Sequence, residues 1–545
     1  MDYTTKTMFD LVEEAGKKYP ENIAYSFMGK KTTYRTFLEE IEVAATALKA
    51  IGTKENDILC VAMPNVPQAV IFIYAANRIG ATVNMIHPLS SSSEILDFLL
   101  RVKAKTILVL DQFYEKVASV SKDSHLEHII LCGIGEVLSP LKRVGFYLTS
   151  GRKNPHPRKG GSILYWKDFL TLGKDMDAPI LHDNSKTALI LHSGGTTGKV
   201  KGVCLSNYAV NASSYQMRAA NPMLDPSDRF LSVMPIFHGN GLVIGVHTVL
   251  SIGARCVLIP RFTPETYAKD LLKNKCNYMS GVPVLFERLM SVDIMKTADL
   301  SFLKGIFCGA DTLTMELEKR LNEFFRSHNA SVPVRQGFGM TEGVVASLLT
   351  PYDKPKLGSI GKPLPGVKCK IVEPGTEKEL PPMEVGEIVF SSDTNMTEYY
   401  ENPEETALVK RLHQDGLYWI HSGDLGYMDE EGYFFFKGRI KRMIVINGYN
   451  VFPAEVENVI EKMEEVDRCV ICGVQKTEGA QIVKAFIVLK PGVEPNEETK
   501  KRIIAFQREQ ISRYAVAKEI EFVSDFPKTK VGKIDYKALL HVEAL

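Results

Sequence analysis

Cysteine is sparse in this chain, nine in 545 residues, and most of it stands in apolar surroundings: Cys60, Cys132, Cys204, Cys256 and Cys308 read as small core residues. Cys469 and Cys472 form a lone CxxC inside RCVICGV, which reads as a strand. Residues i and i+3 of a strand face opposite sides, and no second ligand pair lies nearby, so the pair predicts no metal or redox site. Charge of one sign is also missing: net charge is +1, so no global field recruits nucleic acid. No basic stripe is interleaved with an aromatic platform. No run approaches the ~18 apolar residues of a bilayer span, and the start, MDYTTKTMFDLVEEAG, has acidic residues and no apolar core, so neither a transmembrane segment nor a signal peptide is expected. A cytoplasmic protein is the expectation.

What is present is ordinary for a globular enzyme: 45% hydrophobic and 24% charged residues. The length allows three or four units at about 150 residues each. Met8, Leu11, Val12 and Ala15 recur at helical spacing, as do Phe37, Ile41, Ala44, Ala45 and Leu48. Apolar runs at 57–63, 81–86, 106–110 and 128–132 alternate with helical patterns, a βαβ rhythm that implies a largely parallel sheet. Lys142 to Gly161 interrupts it. This stretch is basic and rich in glycine and proline and reads as a solvated surface loop; contact with an acidic partner or a membrane surface is the weaker reading, since no periodic apolar face supports anchoring. The rhythm resumes with a helix that Asn207 caps, a strand at 230–234 and a helix over Leu242–Leu250. From about Lys356, glycines and prolines punctuate short apolar runs, which predicts a β-rich subdomain over about 356–438. A compact α/β piece follows, with a boundary at residues 439–442.

The stretch with most chemistry is TALILHSGGTTGKVKGVCL, 187–205. Two apolar runs flank Ser193-Gly194-Gly195-Thr196-Thr197-Gly198, which has almost no side-chain bulk. Such a loop folds tightly and aims N–H groups and hydroxyls at one object, and Lys199 and Lys201 add charge at its exit; a phosphate-bearing ligand suits it. It is not GxxxxGK[ST], because Ser193 stands where that motif needs its first glycine and Val200 follows Lys199.

This loop resembles the signature [ST]SGTTGxPKG of the adenylate-forming (AMP-binding) superfamily, in its acyl-CoA synthetase or acid–thiol ligase branch. Gly194 and Val200 depart from the usual Ser and Pro. Further segments extend the resemblance: Gly309-Ala310-Asp311; Gln336-Gly337-Phe338-Gly339-Met340-Thr341-Glu342, similar to YGxTE; His421-Ser422-Gly423-Asp424, similar to TGD; Gly438-Arg439-Ile440-Lys441-Arg442, similar to GRxKD with Arg442 replacing the acid; Gly448-Tyr449 to Glu455; and Pro527-Lys528-Thr529-Lys530-Val531-Gly532-Lys533.

The resemblance implies an α/β fold with a large N-terminal domain over 1–440, built of layered α/β subdomains plus the β-rich subdomain, and a small mobile α+β domain over 441–545. It implies ATP, Mg²⁺ and coenzyme A as cofactors. Phe338 and the 309–311 and 336–339 segments would face adenine, Thr341 the α-phosphate, and Glu342 with Thr196 the metal. Asp424 would take the ribose hydroxyls, Arg439 the ribose–phosphate region, and Lys533 would be the catalytic lysine. Lys441 would be the hinge, and Gly448 and Tyr449 would face the thiol site. The implied reaction makes an acyl-adenylate and pyrophosphate, then passes the acyl group to coenzyme A or to a carrier-protein phosphopantetheine. Amino-acid-activating relatives carry an Asp early in the acyl-pocket segment; here that segment is Pro235-Ile236-Phe237-His238, without a carboxylate, which favours an uncharged acyl tail, a fatty acid first and an aryl or bile acid next. His238 matches a gate position.

Overall fold

The computed structural model describes residues 3–149, 151–158, 160–194, 200–446, 449–475, 481–528 and 534–541. The chain forms two compact units, one of residues 1–368 and 390–420, the other of 369–389 and 421–545. The architecture is α/β with a larger and a smaller body, as the resemblance implies.

The first unit contains two sheets. In the eight-stranded sheet the order is Glu398–Tyr399, Val200–Ser206, Thr187–Gly194, Thr82–Met85, Ile58–Ala62, Thr106–Leu110, His128–Cys132, Ile163–Tyr165. Pairing is parallel from Thr187–Gly194 to the 163 edge, and antiparallel at the hairpin that joins Thr187–Gly194 to Val200–Ser206. The nine-stranded sheet is parallel through Val334–Phe338, Gly305–Cys308, Tyr278–Gly281, Arg229–Ser232, Arg255–Leu258 and Ile23–Phe27, with antiparallel strands at its ends. Strands buried on both faces read as continuous apolar runs, which is why the rhythm was legible. Helix Pro67–Arg78 is buried from Pro67 to Asn77 and is apolar almost all round, the pattern of a helix enclosed on every side.

Three expectations need correction. Ser206, not Asn207, caps the helix Asn207–Ala219: its hydroxyl accepts from the Ala209 N–H. Asn207 is drawn elsewhere, its Oδ1 accepting from Met8 N at 2.9 Å and Asn77 Nδ2 at 2.7 Å. The segment expected as an α-helix over 242–250 is a nine-residue π-helix, Asn240–Thr248, followed by one α-turn. Side-chain hydroxyls bond carbonyls of this wider winding: Ser232 Oγ donates to the Gly245 carbonyl at 2.6 Å, and Thr248 Oγ1 to the Val243 carbonyl at 2.8 Å. The stretch read as a loop from Lys142 contains most of a helix, Pro140–Thr149.

In the second unit a three-stranded sheet orders Val466–Gln475, Gln481–Leu489 and Glu519–Phe522, covered by helices Pro453–Ile460 and Glu497–Gln510. Cys469 and Cys472 lie in two different apolar clusters on the two faces of Val466–Gln475. All nine cysteines are free. Among the described residues no helix is long and apolar enough to cross a membrane.

Candidate active site

The glycine-rich loop leaves the sheet from Thr187–Gly194 and returns on Val200–Ser206, where Ser193 faces Lys201 and His192 faces Gly202. Only the ends of the loop are described; Gly195, Thr196, Thr197 and Gly198 lie outside the described residues. At the entry, Ser193 Oγ donates to Glu342 Oε1 at 3.0 Å. Tyr399 OH donates to the same oxygen at 2.6 Å. Three residues far apart in the chain thus meet at one carboxylate, and both donors converge on Oε1, so the lone pairs of Oε2 remain for a ligand among the described residues. Glu342 and Tyr399 are 4% and 3% exposed, so the interaction is little screened by water. Burial, then the neighbouring Glu342 carboxylate, pushes the Tyr399 phenol well up, which keeps it a neutral donor. At the loop exit, Lys201 Nζ lies 2.5 Å from Glu405 Oε2 and 4.9 Å from the centre of the Tyr399 ring. The short strand Glu398–Tyr399 places Tyr399 there by pairing with Val203.

A magnesium ion bound with a nucleotide is ordinarily held by one or two carboxylates, the rest of its shell being water and phosphate oxygens. Glu342, oriented by two hydrogen bonds, fits that role. Among the described residues no group of three His, Cys, Asp or Glu forms a self-sufficient metal site.

Glu342 sits in the short 3-10 turn Thr341–Gly343 after strand Val334–Phe338. The turn is under local constraint. Val344 has φ +67°, rare for a β-branched residue, and a Cβ on Gly239 would come within 2.2 Å of its carbonyl. A Cβ on Gly339 would lie 1.9 Å from the Val345 carbonyl, so this chain reversal requires glycine. Gly309 lies against the Gly337 carbonyl at 2.9 Å for a built Cβ, which brings the 309–311 and 336–339 segments together. Ala310 adopts φ +68°, and Asp311 Oδ1 accepts from the Thr312 N–H at 2.8 Å. The Gln336 side chain is buried, and its Oε1 is without a hydrogen-bond partner among the described residues; Phe338 is half-buried.

The uncharged segment Pro235–Gly241 is clamped by Asn65. Its Nδ2 donates to the Ser232 and Met234 carbonyls at 3.0 and 2.8 Å, and its Oδ1 accepts from the Ile236 N–H at 3.0 Å. Phe237 packs 4.3 Å from the His87 ring and 4.8 Å from that of His238, centroid to centroid.

In the second unit, Asp424 and Arg439 face each other across the hairpin Tyr418–Met428 and Phe434–Arg439, with Arg439 Nε 3.1 Å from Asp424 Oδ1. Glu387 holds the loop before Asp424: Oε1 accepts from the Gly423 N–H at 2.9 Å and Oε2 lies 2.9 Å from His421 Nδ1. Burial alone raises the Glu387 carboxyl, but His421 and the Gly423 N–H outweigh it and hold the group below its ordinary range. Lys441 is exposed in the turn Ile440–Arg442. Arg442 is engaged: it donates to Glu457 Oε1 at 2.8 Å, the Ile471 carbonyl at 3.1 Å and Tyr536 OH at 3.0 Å, and lies 3.9 Å above the Tyr536 ring. Gly448 and Lys533 lie outside the described residues, and Tyr449 is described in its backbone alone.

The AMP-binding enzyme family matches residues 12–400, and the AMP-binding enzyme C-terminal domain matches 455–533. The chain belongs to this family. This AMP-binding enzyme is 30% identical to a long-chain-fatty-acid–CoA ligase of Bacillus subtilis over 99% of its own length and 95% of the relative's. It is 30% identical to a probable 4-coumarate–CoA ligase of Dictyostelium discoideum, over 92% and 88% of the two chains. Its fold matches ATP-bound MatB from Rhodopseudomonas palustris with a TM-score of 0.83 at 22% identity, covering 99% and 98%. The family matches make it an adenylate-forming ligase, and the likeness to MatB shows the fold.

Of the residues expected at the site of this AMP-binding enzyme, Ser193 and Glu342 meet directly, and Lys201 stands beside them. Tyr399, Glu405, Asn65 and Glu387 were not anticipated. They are held by strand pairing and loop contacts across more than a hundred residues or from the flank of a motif, and no local spacing marks them.

Proposed function

We propose that this AMP-binding enzyme activates a fatty acid with ATP and transfers it to coenzyme A. A free carboxylate is a poor acyl donor because its leaving group would be oxide. Its oxygen attacks the α-phosphorus of ATP, a P–O bond forms, and pyrophosphate departs with the electron pair of the broken bond. The thiol of coenzyme A then attacks the acyl carbon and AMP leaves, the thiol proton passing to solvent or phosphate.

The convergence of Ser193, Glu342 and Tyr399 is the observation that carries the reading. It puts a fixed carboxylate at the mouth of a loop whose composition suits phosphate. Magnesium held through Glu342, with Thr196 as second candidate, supplies charge neutralisation when two anions meet. Ser193 and Tyr399 keep that carboxylate aimed. Thr341 and Lys533 are the proposed partners of the α-phosphate, Asp424 and Arg439 those of the ribose. Lys441 is the proposed pivot of a C-terminal domain beginning near residue 441. For the acid, the absence of any carboxylate from Pro235 to Thr248 and the packing of Phe237 support an uncharged tail. The Bacillus relative's name supports a long chain. An aryl acid is the second reading, supported by the Dictyostelium relative.

A panel of carboxylic acids assayed for pyrophosphate release, with and without coenzyme A or a holo-carrier protein, tests this. Long-chain acids are expected to give the highest turnover, and free coenzyme A to be the productive acceptor. Preference for hydroxycinnamates would favour the second reading. Absence of pyrophosphate with every acid would remove the proposal.

A further inference from the structure

From Leu138 to Lys167 the chain carries seven lysines and arginines and no aspartate or glutamate. Subtracting these from a net charge of +1 leaves −6 for the rest, so positive charge is concentrated in one short stretch. The same stretch contains helix Pro140–Thr149, whose Leu141, Val144, Tyr147 and Leu148 are 86, 59, 58 and 62% exposed. At about 100° per residue these four side chains fall within an arc of roughly 120°. Phe146 falls on the opposite side, half-buried, with its ring so near Gly151 that a Cβ there would come within 2.8 Å. The flanks are tied down: Arg143 Nε donates to the Gly135 carbonyl at 3.0 Å, and Lys142 Nζ donates to the Met28 carbonyl. The helix is therefore fixed with its apolar stripe outward. Arg152, Lys153 and Arg158 are exposed just beyond it.

We propose that this helix seats the enzyme on an anionic lipid surface, with the stripe entering the head-group boundary and the basic run lying against the phosphates. A narrow, exposed apolar face beside cations on an otherwise acidic chain matches what such a surface offers: apolar depth and negative charge together. The sequence hid the stripe because Gly145 and the Lys142–Arg143 pair interrupt its spacing, and because glycine and proline dominate the residues from Gly151 to Gly161.

The test is sedimentation of the full chain with vesicles of equimolar phosphatidylcholine and phosphatidylglycerol, against pure phosphatidylcholine. Wild type is expected to bind the mixed vesicles and to release with rising salt. Leu141→Glu combined with Leu148→Glu should weaken binding ~tenfold or more. Arg152→Gln, Lys153→Gln and Arg158→Gln together should weaken it and flatten the salt dependence. All five positions are exposed and none belongs to the site, so circular dichroism and pyrophosphate exchange with a water-soluble acid should stay at wild-type values. Failure of wild type to bind, or unchanged binding by both variants, overturns the proposal. So does a concentration-dependent dimer that the double glutamate variant abolishes without any lipid binding. Vesicle binding is read without turnover, so this outcome is independent of which acid the enzyme activates.

Discussion

Replacing Tyr399 by phenylalanine removes one oxygen and keeps the ring. Lys201, 4.9 Å from the ring centre, keeps its contact with the aromatic face, and the burial of the side chain is unchanged. The single loss is the 2.6 Å hydrogen bond to Glu342 Oε1, in surroundings where donor and acceptor are almost wholly buried. A hydrogen bond to a charged group contributes about 1.5–3 kcal/mol net. Ser193 Oγ, at 3.0 Å, then holds that oxygen alone, from a strand end that borders the glycine-rich loop. If the orientation of Glu342 matters chiefly when metal and nucleotide are bound, the loss falls on the transition state, and kcat/KM for ATP drops about 10- to 150-fold. The assay is acid-dependent exchange of labelled pyrophosphate into ATP at several magnesium concentrations, with KM for ATP and magnesium measured separately. Ser193→Ala should give the smaller loss, because its bond is longer and less buried. A Tyr399→Phe enzyme within threefold of wild type, with the same magnesium dependence, would refute the reasoning that a fixed Glu342 carboxylate serves the phosphate site.

Lys533→Ala should leave the thermal unfolding profile intact and lower pyrophosphate exchange by ~10²-fold or more, as loss of a preorganised charge at the transferring phosphorus predicts. Lys441→Pro fixes φ at the proposed pivot; exchange should persist while thioester formation, followed with coenzyme A, slows by at least ~tenfold. Stability should fall on acidification. Burial pushes His192 and His247 down to about 3, and in the unfolded chain each titrates near ~6.5. The unfolded state then binds more protons below that value, so stability is full above pH ~7 and is lost as pH falls toward 3. The two together cost about 3 kcal/mol between pH 7.5 and 5.5, read as a lower urea midpoint; equal midpoints would contradict it.

Much of the first unit could be read directly from the chain. Strands such as Thr106–Leu110 are uninterrupted apolar runs because both faces are covered, and the turns between them carry glycine and proline where the backbone needs them. The motifs around Ser193, Glu342, Asp424 and Arg439 were legible because backbone geometry restricts them locally: a tight loop, a turn that closes against Val345, a hairpin register. Other features depended on distant partners. The π-winding of Asn240–Thr248 takes a hydroxyl of Ser232, on a preceding strand, at one of its carbonyls, and an apolar sequence alone reads as an ordinary helix. Tyr399 reaches Glu342 only because Glu398–Tyr399 adds to the edge beside Val200–Ser206, a pairing that crosses nearly two hundred residues. Neutral His192 and His247 are likewise set by remote groups: His192 Nε2 donates to Asn84 at 2.7 Å, and His247 bridges Tyr74 and Asn211 at 3.0 and 2.8 Å.

Lys437 and Glu455, 2.5 Å apart, stand on opposite sides of the proposed pivot at Lys441. Any swing there has to unfasten this pair first. The two side chains are 26% and 47% exposed, and a pair so wet adds at most about 1 kcal/mol. With Lys441 as the proposed pivot, the pair would be a light latch rather than a bolt: exposed enough to yield readily and to loosen further in concentrated salt, so that thioester formation would quicken as ionic strength rises.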